Sequence, residues 1–235
     1  MTRSLSIIVP CYNEEGNVLS TLRDIEEAIA GVIDDYEIIV VNDASRDRTG
    51  EVIESYAKSH PRVRCLHHER NLGLGATFYQ GLDRATKEYV MSVFGDNEIT
   101  KESLRYLFGE VGKADILIPY LTNHNIRPRH RQIISWVFGR IMNTLTRRNI
   151  RYYNGPAIHR RENLLKLPTR NAGFAYMAEI LTYLLDRGVS YLEIPYQMRY
   201  RHYGATTAFR LRNCVSVAMT LGSIFKRRTG LSKAG

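Results

Sequence analysis

Short β-branched runs alternate with longer stretches of helical periodicity through the first hundred residues. The runs LSIIVP (5–10), YEIIVVND (36–43), VRCLHH (63–68) and EYVMSVFGD (88–96) are each bounded by turn or polar residues, as strands are. Between them, EEGNVLSTLRDIEEAIAGVI (14–33), DRTGEVIESYAKSH (47–60) and GLGATFYQGLDRAT (73–86) space their apolar residues three and four apart. This alternation predicts an α/β fold: a mostly parallel sheet with right-handed crossovers and helices on both faces. In such sheets ligands bind beyond the carboxyl ends of the strands. The segments found there are PCYNEEGN, NDASRDRT, ERNLGLGAT and GDNEIT, so polar and acidic residues converge on one sheet edge.

Past residue 120 the pattern loosens into a basic segment in which Ile133, Ile134, Val137, Phe138 and Ile141 fit one helical face. AYMAEILTYLLDRG (175–188) then predicts a further helix and VSYLEIPYQMRYR (189–201) a final strand. The segment FRLRNCVSVAMTLGSIFKRR (209–228) has basic ends and an apolar middle, which suits a helix lying at a membrane interface and a helix docked on the protein equally well. Residues 1–208 are expected to form one domain, and 209–235 an appended basic amphipathic helix and tail.

Charge narrows the choice of partner. Lys and Arg outnumber Asp and Glu by 33 to 24, a formal charge of +9, which points to a nucleic acid, a phosphorylated small molecule or an anionic membrane surface. The stretch from Arg127 to Arg161 is basic throughout, whereas the first 60 residues are nearly balanced, so the anionic partner is expected on the second half. No helix-turn-helix or RNA-binding signature accompanies the charge, and no nucleic acid is expected. Cys11, Cys65 and Cys214 lie far apart, against a disulfide framework or a zinc site and in favour of a reducing compartment. The chain opens without a signal-peptide pattern, and no apolar run approaches the ~20 residues that span a bilayer. The expected location is the cytoplasm, with the chain either soluble or peripheral at the cytoplasmic face of a membrane.

Asp96 and Glu98, one residue apart at a strand end, carry the most specific chemistry. Oxygen ligands held this way suit Mg²⁺ or Mn²⁺, whose shell is completed by substrate phosphates and water. The same spacing also suits a solvated turn leading into a helix capped by Thr100.

SIIVPCYNEEGNV, EIIVVNDASRDRTGEVI, RNLGLGATFYQGLDRA and GDNE resemble, in order and spacing, the four signatures of family 2 glycosyltransferases with the GT-A nucleotide-sugar-binding fold. GFAYMAEILTYLLDRGVSYLEIPYQMRYRHYGAT (173–206) resembles, within that family, the dolichyl-phosphate mannose synthase and polyprenyl-phosphate sugar transferase branch. The resemblance implies that Pro10, Tyr12, Asn13 and Glu14 form the loop holding the nucleotide base and ribose, that Asp43 contacts the base, and that Gly73 and Gly75 open a helix beside the nucleotide. Asn42 stands where most relatives carry a first acid. Gly95-Asp96-Asn97 stands where they carry Asp-x-Asp, so Glu98 would have to join Asp96 as metal ligand, and Gly95 would allow an unusual turn before them.

For the acceptor, the nearest matches to the branch's arginine-rich phosphate site are Arg129, Arg131, Ser135 and Arg201, with Arg127, His130, Arg199 and His202 nearby. A planar guanidinium suits two phosphate oxygens at once. Asn154 lies where the branch has an acid and a serine. Glu179 is implied to position donor or acceptor, and Glu193 to fix the last strand. The function expected is an inverting, metal-assisted hexosyltransferase that moves a sugar from a nucleoside diphosphate of GDP-mannose or UDP-hexose type to a polyprenyl or dolichyl phosphate. A soluble hydroxylated acceptor, with Glu179 as base, and a non-catalytic nucleotide or nucleic-acid binder are the alternatives.

Overall fold

The computed structural model describes residues 3–201, 203 and 211–229, the side chains of 211, 212 and 229 excepted. His202, residues 204–210 and the tail 230–235, drawn on in the sequence reading, lie outside the described residues.

The first half forms strands β1 (Ser4–Cys11), β2 (Asp35–Asn42), β3 (Val63–His67) and β4 (Tyr89–Ser92), joined by helices α1 (Val18–Ile29), α2 (Thr49–Ser59) and α3 (Leu74–Arg84). Helix α4 (Lys101–Glu110) and strand β5 (Ile116–Leu121) follow. The second half adds helix α5 (Arg129–Thr146), strand β6 (Ile158–Arg160), helices α6 (Arg161–Leu165) and α7 (Tyr176–Asp186), strand β7 (Tyr191–Tyr196) and helix α8 (Leu211–Thr229). The seven strands form one sheet in the order β3-β2-β1-β4-β6-β5-β7. Every pairing is parallel except the two made by β6, which runs antiparallel to β4 and β5.

Strand β1 shows why the chain folds this way. Seven of its eight residues are buried, the near-continuous apolar run of a strand covered on both faces. Leu5, Ile7 and Val9 enter a core with α1, α2 and α4, whereas Ile8 enters a second core with α3, α7, Met142 of α5 and Ile224 of α8. The pairing of β1 with β4 ends at Ile8–Ser92, while its pairing with β2 continues to Cys11–Asn42. Pro10, which has no N–H to donate, therefore sits where β4 has already ended. The order reverses at β1, so a crevice opens between the ends of β1 and β4, as the sheet rule requires.

Two strands escape the sequence pattern. Strand β6 has three residues, too short for any period, and β5 lies at the point where the alternation breaks down. The helix expected from Ile133, Ile134, Val137, Phe138 and Ile141 forms as α5, but Ile133, Ile134, Val137 and Ile141 are exposed by 41–61%, Ile134 at the cavity's edge, and of the five Phe138 packs on the second core.

Candidate active site

The crevice is a cavity of about 750 Å³ at the ends of β1 and β4, walled on its other sides by α5, the 152–156 and 172–174 loops and α8. Pro10, Tyr12, Asn13, Glu14, Asp43, Gly73, Asp96, Glu98, Arg131, Ser135 and Arg201 all line it. Residues as far apart in sequence as Pro10 and Arg201 thus meet where the sheet reverses.

The loop after β1 is stapled to the loop after β2. Asn13 takes a left-handed conformation, φ 57°, that lets its backbone N–H donate to Ser45 Oγ at 3.0 Å while its Oδ1 accepts from Arg46 N at 2.8 Å. Glu14 is buried: Oε2 accepts from Asn17 Nδ2 at 2.7 Å and Oε1 pairs with Arg201. Burial raises the Glu14 carboxyl above its ordinary pKa against the lowering effect of Asn17 and Arg201.

Asp43 is a hub. Its Oδ1 accepts from His68 Nδ1 at 2.6 Å and Leu72 N at 2.8 Å, and its Oδ2 from Gly73 N at 2.9 Å. It thus holds the loop before α3 while its residue borders the cavity. Asn42 does not line the cavity; it accepts from Ser45 N at 3.0 Å and lies 3.1 Å from His67 Nδ1, tying the second loop to β3.

The first N–H groups of α3 are already engaged. Gly75 N and Ala76 N both donate to the carbonyl of Ala172, at 3.1 and 3.3 Å. A side chain at Gly75 would run into the Asn171 carbonyl and the Ala172 backbone, so this glycine is there to let another loop seat on the helix. Gly73 and Leu74 still face the cavity.

Gly95 also has a different reason from the turn expected for it. Its backbone φ is not positive; the left-handed residue of GDNE is Asn97, at φ 54°. A Cβ on Gly95 would stand 2.6 Å from Cys11 Sγ, so an aspartate cannot occupy this position without displacing the end of β1. The turn at Asn97 leaves Asp96 and Glu98 on the cavity wall, with Glu98 N donating to Asp96 Oδ1 at 3.3 Å. Thr100 accepts from Ser103 N at 3.2 Å and caps α4, so the capping and cavity-lining readings of this stretch both hold.

Burial, and then the Asp96 charge, push the Glu98 carboxyl up to about 7, and burial raises Asp96 despite Arg201 and Arg131 nearby. The two buried carboxylates repel one another, which a divalent cation between them would relieve. Among the described residues no group of three or more His, Cys, Asp or Glu is placed to hold a metal. Two carboxylates with space for phosphates beside them nevertheless fit the donor set of Mg²⁺ or Mn²⁺. Arg201 Nη1 stands 3.9 Å from Asp96 Oδ2, joining Glu14 and Asp96 in one charged row.

Arg131 and Ser135 reach the cavity one turn apart on α5, but Arg129 is exposed at the start of the helix and outside the cavity lining. Arg127 lines it instead, mostly buried, with Nη1 donating to Tyr152 Oη at 3.0 Å. Arg199 is paired with Asp24 at 2.7 Å. Asn154 lines the cavity, and its buried Oδ1 has no hydrogen-bond partner among the described residues. Glu179 lies outside the main cavity and accepts from Asn171 Nδ2 at 2.6 Å. Glu193 on β7 accepts from Arg151 N at 2.7 Å, holding the chain that leads to Tyr152.

The sequence reading missed the wall made by Ala172, Gly173 and Phe174 and by Asn213, Cys214, Ser216 and Val217 of α8. The signal was available: Asn213, Ser216 and Thr220 recur at helical spacing inside the apolar middle of that segment.

The Glycosyl transferase family 2 model matches residues 6–167. The chain belongs to that family. It is 32% identical over 114 residues to dolichyl-phosphate beta-glucosyltransferase ALG5A of Trichomonas vaginalis, a match that covers 46% of this chain and 35% of that protein. It is 27% identical over 188 residues to the prophage bactoprenol glucosyl transferase homolog of Escherichia coli K12, covering 77% of this chain and 60% of that one. The chain thus spans less than two thirds of the length of the curated relatives it matches. Glucosyl-3-phosphoglycerate synthase from Mycobacterium tuberculosis, crystallised with Mn²⁺, UDP-glucose and phosphoglyceric acid, superposes with a TM-score of 0.72 at 17% identity, over 97% of this chain and 80% of that one. That likeness shows the fold, which is the GT-A arrangement.

Proposed function

We propose that this family 2 chain is an inverting glycosyltransferase that moves a sugar from a nucleoside diphosphate to a lipid phosphate of polyprenyl type, at the cytoplasmic face of a membrane. The observation that carries the reading is one cavity in which the acidic pair Asp96 and Glu98 meets the cationic side chains Arg127, Arg131 and Arg201. The first set suits a metal-bound diphosphate and the second an incoming phosphate.

The first loop, Pro10 to Glu14, and Asp43 would receive the nucleoside. Asp96 and Glu98 would hold Mg²⁺ or Mn²⁺, which supplies charge stabilisation to the departing diphosphate when bound. Arg201, fixed by Glu14, holds its charge next to the same phosphates. Arg131 and Ser135 orient the acceptor phosphate so that its oxygen attacks the anomeric carbon from the face opposite the leaving group. A phosphate is already anionic near neutral pH, so no general base is needed. Glu179 lies outside the cavity and is engaged by Asn171, which weighs against the soluble hydroxyl acceptor that would need it as base.

The rim favours a lipid. Helix α5 exposes Ile133, Ile134, Trp136, Val137 and Ile141, and α8 exposes Val215, Met219 and Phe225. Both helices supply cavity residues. Apolar side chains beside arginines suit a headgroup and acyl boundary. No described helix is long and apolar enough to cross a membrane.

Calorimetry with UDP and GDP sugars, each with Mn²⁺ and with chelator, tests the donor half. Binding of one nucleotide that is lost on chelation and in Asp96→Asn is expected; binding indifferent to both overturns the assignment of the carboxylates.

A further inference from the structure

Asn171 stands at the junction of three elements. Its side-chain Nδ2 donates to Glu179 Oε2 of α7 at 2.6 Å and to Thr220 Oγ1 of α8 at 2.8 Å. Its Oδ1 accepts from Gly173 N at 2.8 Å. Both N–H donors of the amide and one lone pair of its oxygen are therefore spent on ordering its own loop and two helices. Phe174 N donates to Ser216 Oγ, one turn before Thr220 on α8, at 3.0 Å. Between these two anchors the Ala172 carbonyl caps Gly75 and Ala76 at the start of α3. The 171–174 segment is thus a strap, fastened to α3 by its backbone and to α8 by two hydroxyls.

The strap's position matters because its inner surface is cavity wall. Ala172, Gly173 and Phe174 line the cavity beside Gly73 and Leu74, next to Asp43. This is the end of the cavity that the donor reading gives to the nucleotide. Helix α8 is seated at its C-terminal end by Ile224 and Leu221 in the second core and by Arg227 and Arg228 on Asp186, Thr182 and the Thr146 carbonyl, whereas Val215 and Met219 leave its cavity-lining end open. Its polar bonds to the strap through Ser216 and Thr220 are what bring it into the wall.

We infer that Asn171 is a positioning residue which fastens α8 to the strap and so sets the affinity of the cavity for the nucleoside diphosphate. The inference rests on the donor reading above. Glu179, assigned a donor or acceptor role by resemblance, then acts through Asn171: its carboxylate orients the amide that holds the wall. The substrate-facing groups themselves are unchanged by loss of Asn171, so the effect falls on ground-state binding rather than on turnover.

The test uses the full chain with UDP and GDP in the presence of Mn²⁺. Asn171→Ala is expected to weaken binding of the nucleotide that the wild type takes by about five- to tenfold, the effect of one or two net hydrogen bonds. With the matching nucleotide-sugar, KM should rise by a similar factor and kcat stay within about twofold. A second variant tests the link to α8. Thr220, which lies outside the cavity lining, receives the Asn171 amide, so Thr220→Val should weaken binding in the same direction and add little further loss in the Asn171→Ala background. Unchanged affinity in Asn171→Ala overturns the inference, as do fully additive losses in the double variant. If neither nucleotide binds the wild type, the donor reading fails and the inference falls with it.

Discussion

Arg201 and Glu14, 187 positions apart, form a buried ion pair that closes the end of the cavity between the loop after β1 and the chain after β7. The same guanidinium donates from Nε to the Tyr203 carbonyl at 2.6 Å, so it is held from two directions. Removing it leaves a buried carboxylate without its cation, which is costlier than the pair is stabilising. Arg201→Ala should lower stability by about 1–3 kcal/mol, and adding Glu14→Gln should recover part of that loss. A double-mutant cycle in urea checks the coupling; strictly additive effects would mean the pair is not formed in solution.

Gly95 should not tolerate a side chain. Gly95→Ala is expected to cost about 1–3 kcal/mol by overpacking against Cys11 Sγ, and Cys11→Ala should relieve much of it. Chemical denaturation of the two single variants and the double variant decides the point. A Gly95→Ala protein as stable as wild type would mean that the close approach of GDNE to β1 is absent.

His159, on β6, sets an acid limit to stability. It is fully buried, its Nε2 lies 3.2 Å from Met177 Sδ, and burial lowers its pKa to about 3. The unfolded chain, with an ordinary histidine near 6.5, therefore binds a proton that the fold refuses. The neutral imidazole contributes its full stability above pH ~6.5, and the contribution falls by about 1.4 kcal/mol per pH unit as the pH drops towards 3. His159→Leu should flatten the decline between pH 6.5 and 4.5, as read by urea midpoints; an unaltered slope would assign the acid loss to carboxylates alone.

The open faces of α5 and α8 should matter for membranes and not for folding. Trp136 is 67% exposed and Met219 71% exposed. Trp136→Ser with Met219→Ser should change stability by only about 0.5 kcal/mol per site. Sedimentation with vesicles containing anionic lipid should nevertheless fall several-fold. Equal sedimentation would remove these helices from the membrane-facing surface.

The first half of the fold was legible because β1, β2 and β4 are near-continuous buried runs, β3 is a short β-branched and apolar run between turn residues, and each intervening helix shows its apolar stripe. The second half was less so. Strand β6 is three residues long and inserts between β4 and β5 by long-range pairing, which no local pattern announces. In the site, Asp96, Glu98, Arg131, Ser135 and Arg201 reach one cavity as their motifs implied, since strand ends and a single helix face bring them there. Arg129 does not, because it lies two residues before Arg131 and so points to another side of α5. The glycines misled in a different way. Gly75 and Gly95 are small to admit the Asn171–Ala172 backbone and Cys11, and a close approach to a distant segment leaves no trace in local sequence.

The most direct test of the proposed acceptor is transfer from the nucleotide-sugar that the protein binds to a polyprenyl phosphate and to the corresponding dephosphorylated polyprenol, with wild type and Arg131→Ala. Sugar should appear on the phosphorylated lipid alone, and Arg131→Ala should reduce that transfer by at least about tenfold, as loss of a charge-assisted phosphate contact would. Equal transfer to the polyprenol, or transfer to the phosphorylated lipid indifferent to Arg131, would contradict the account.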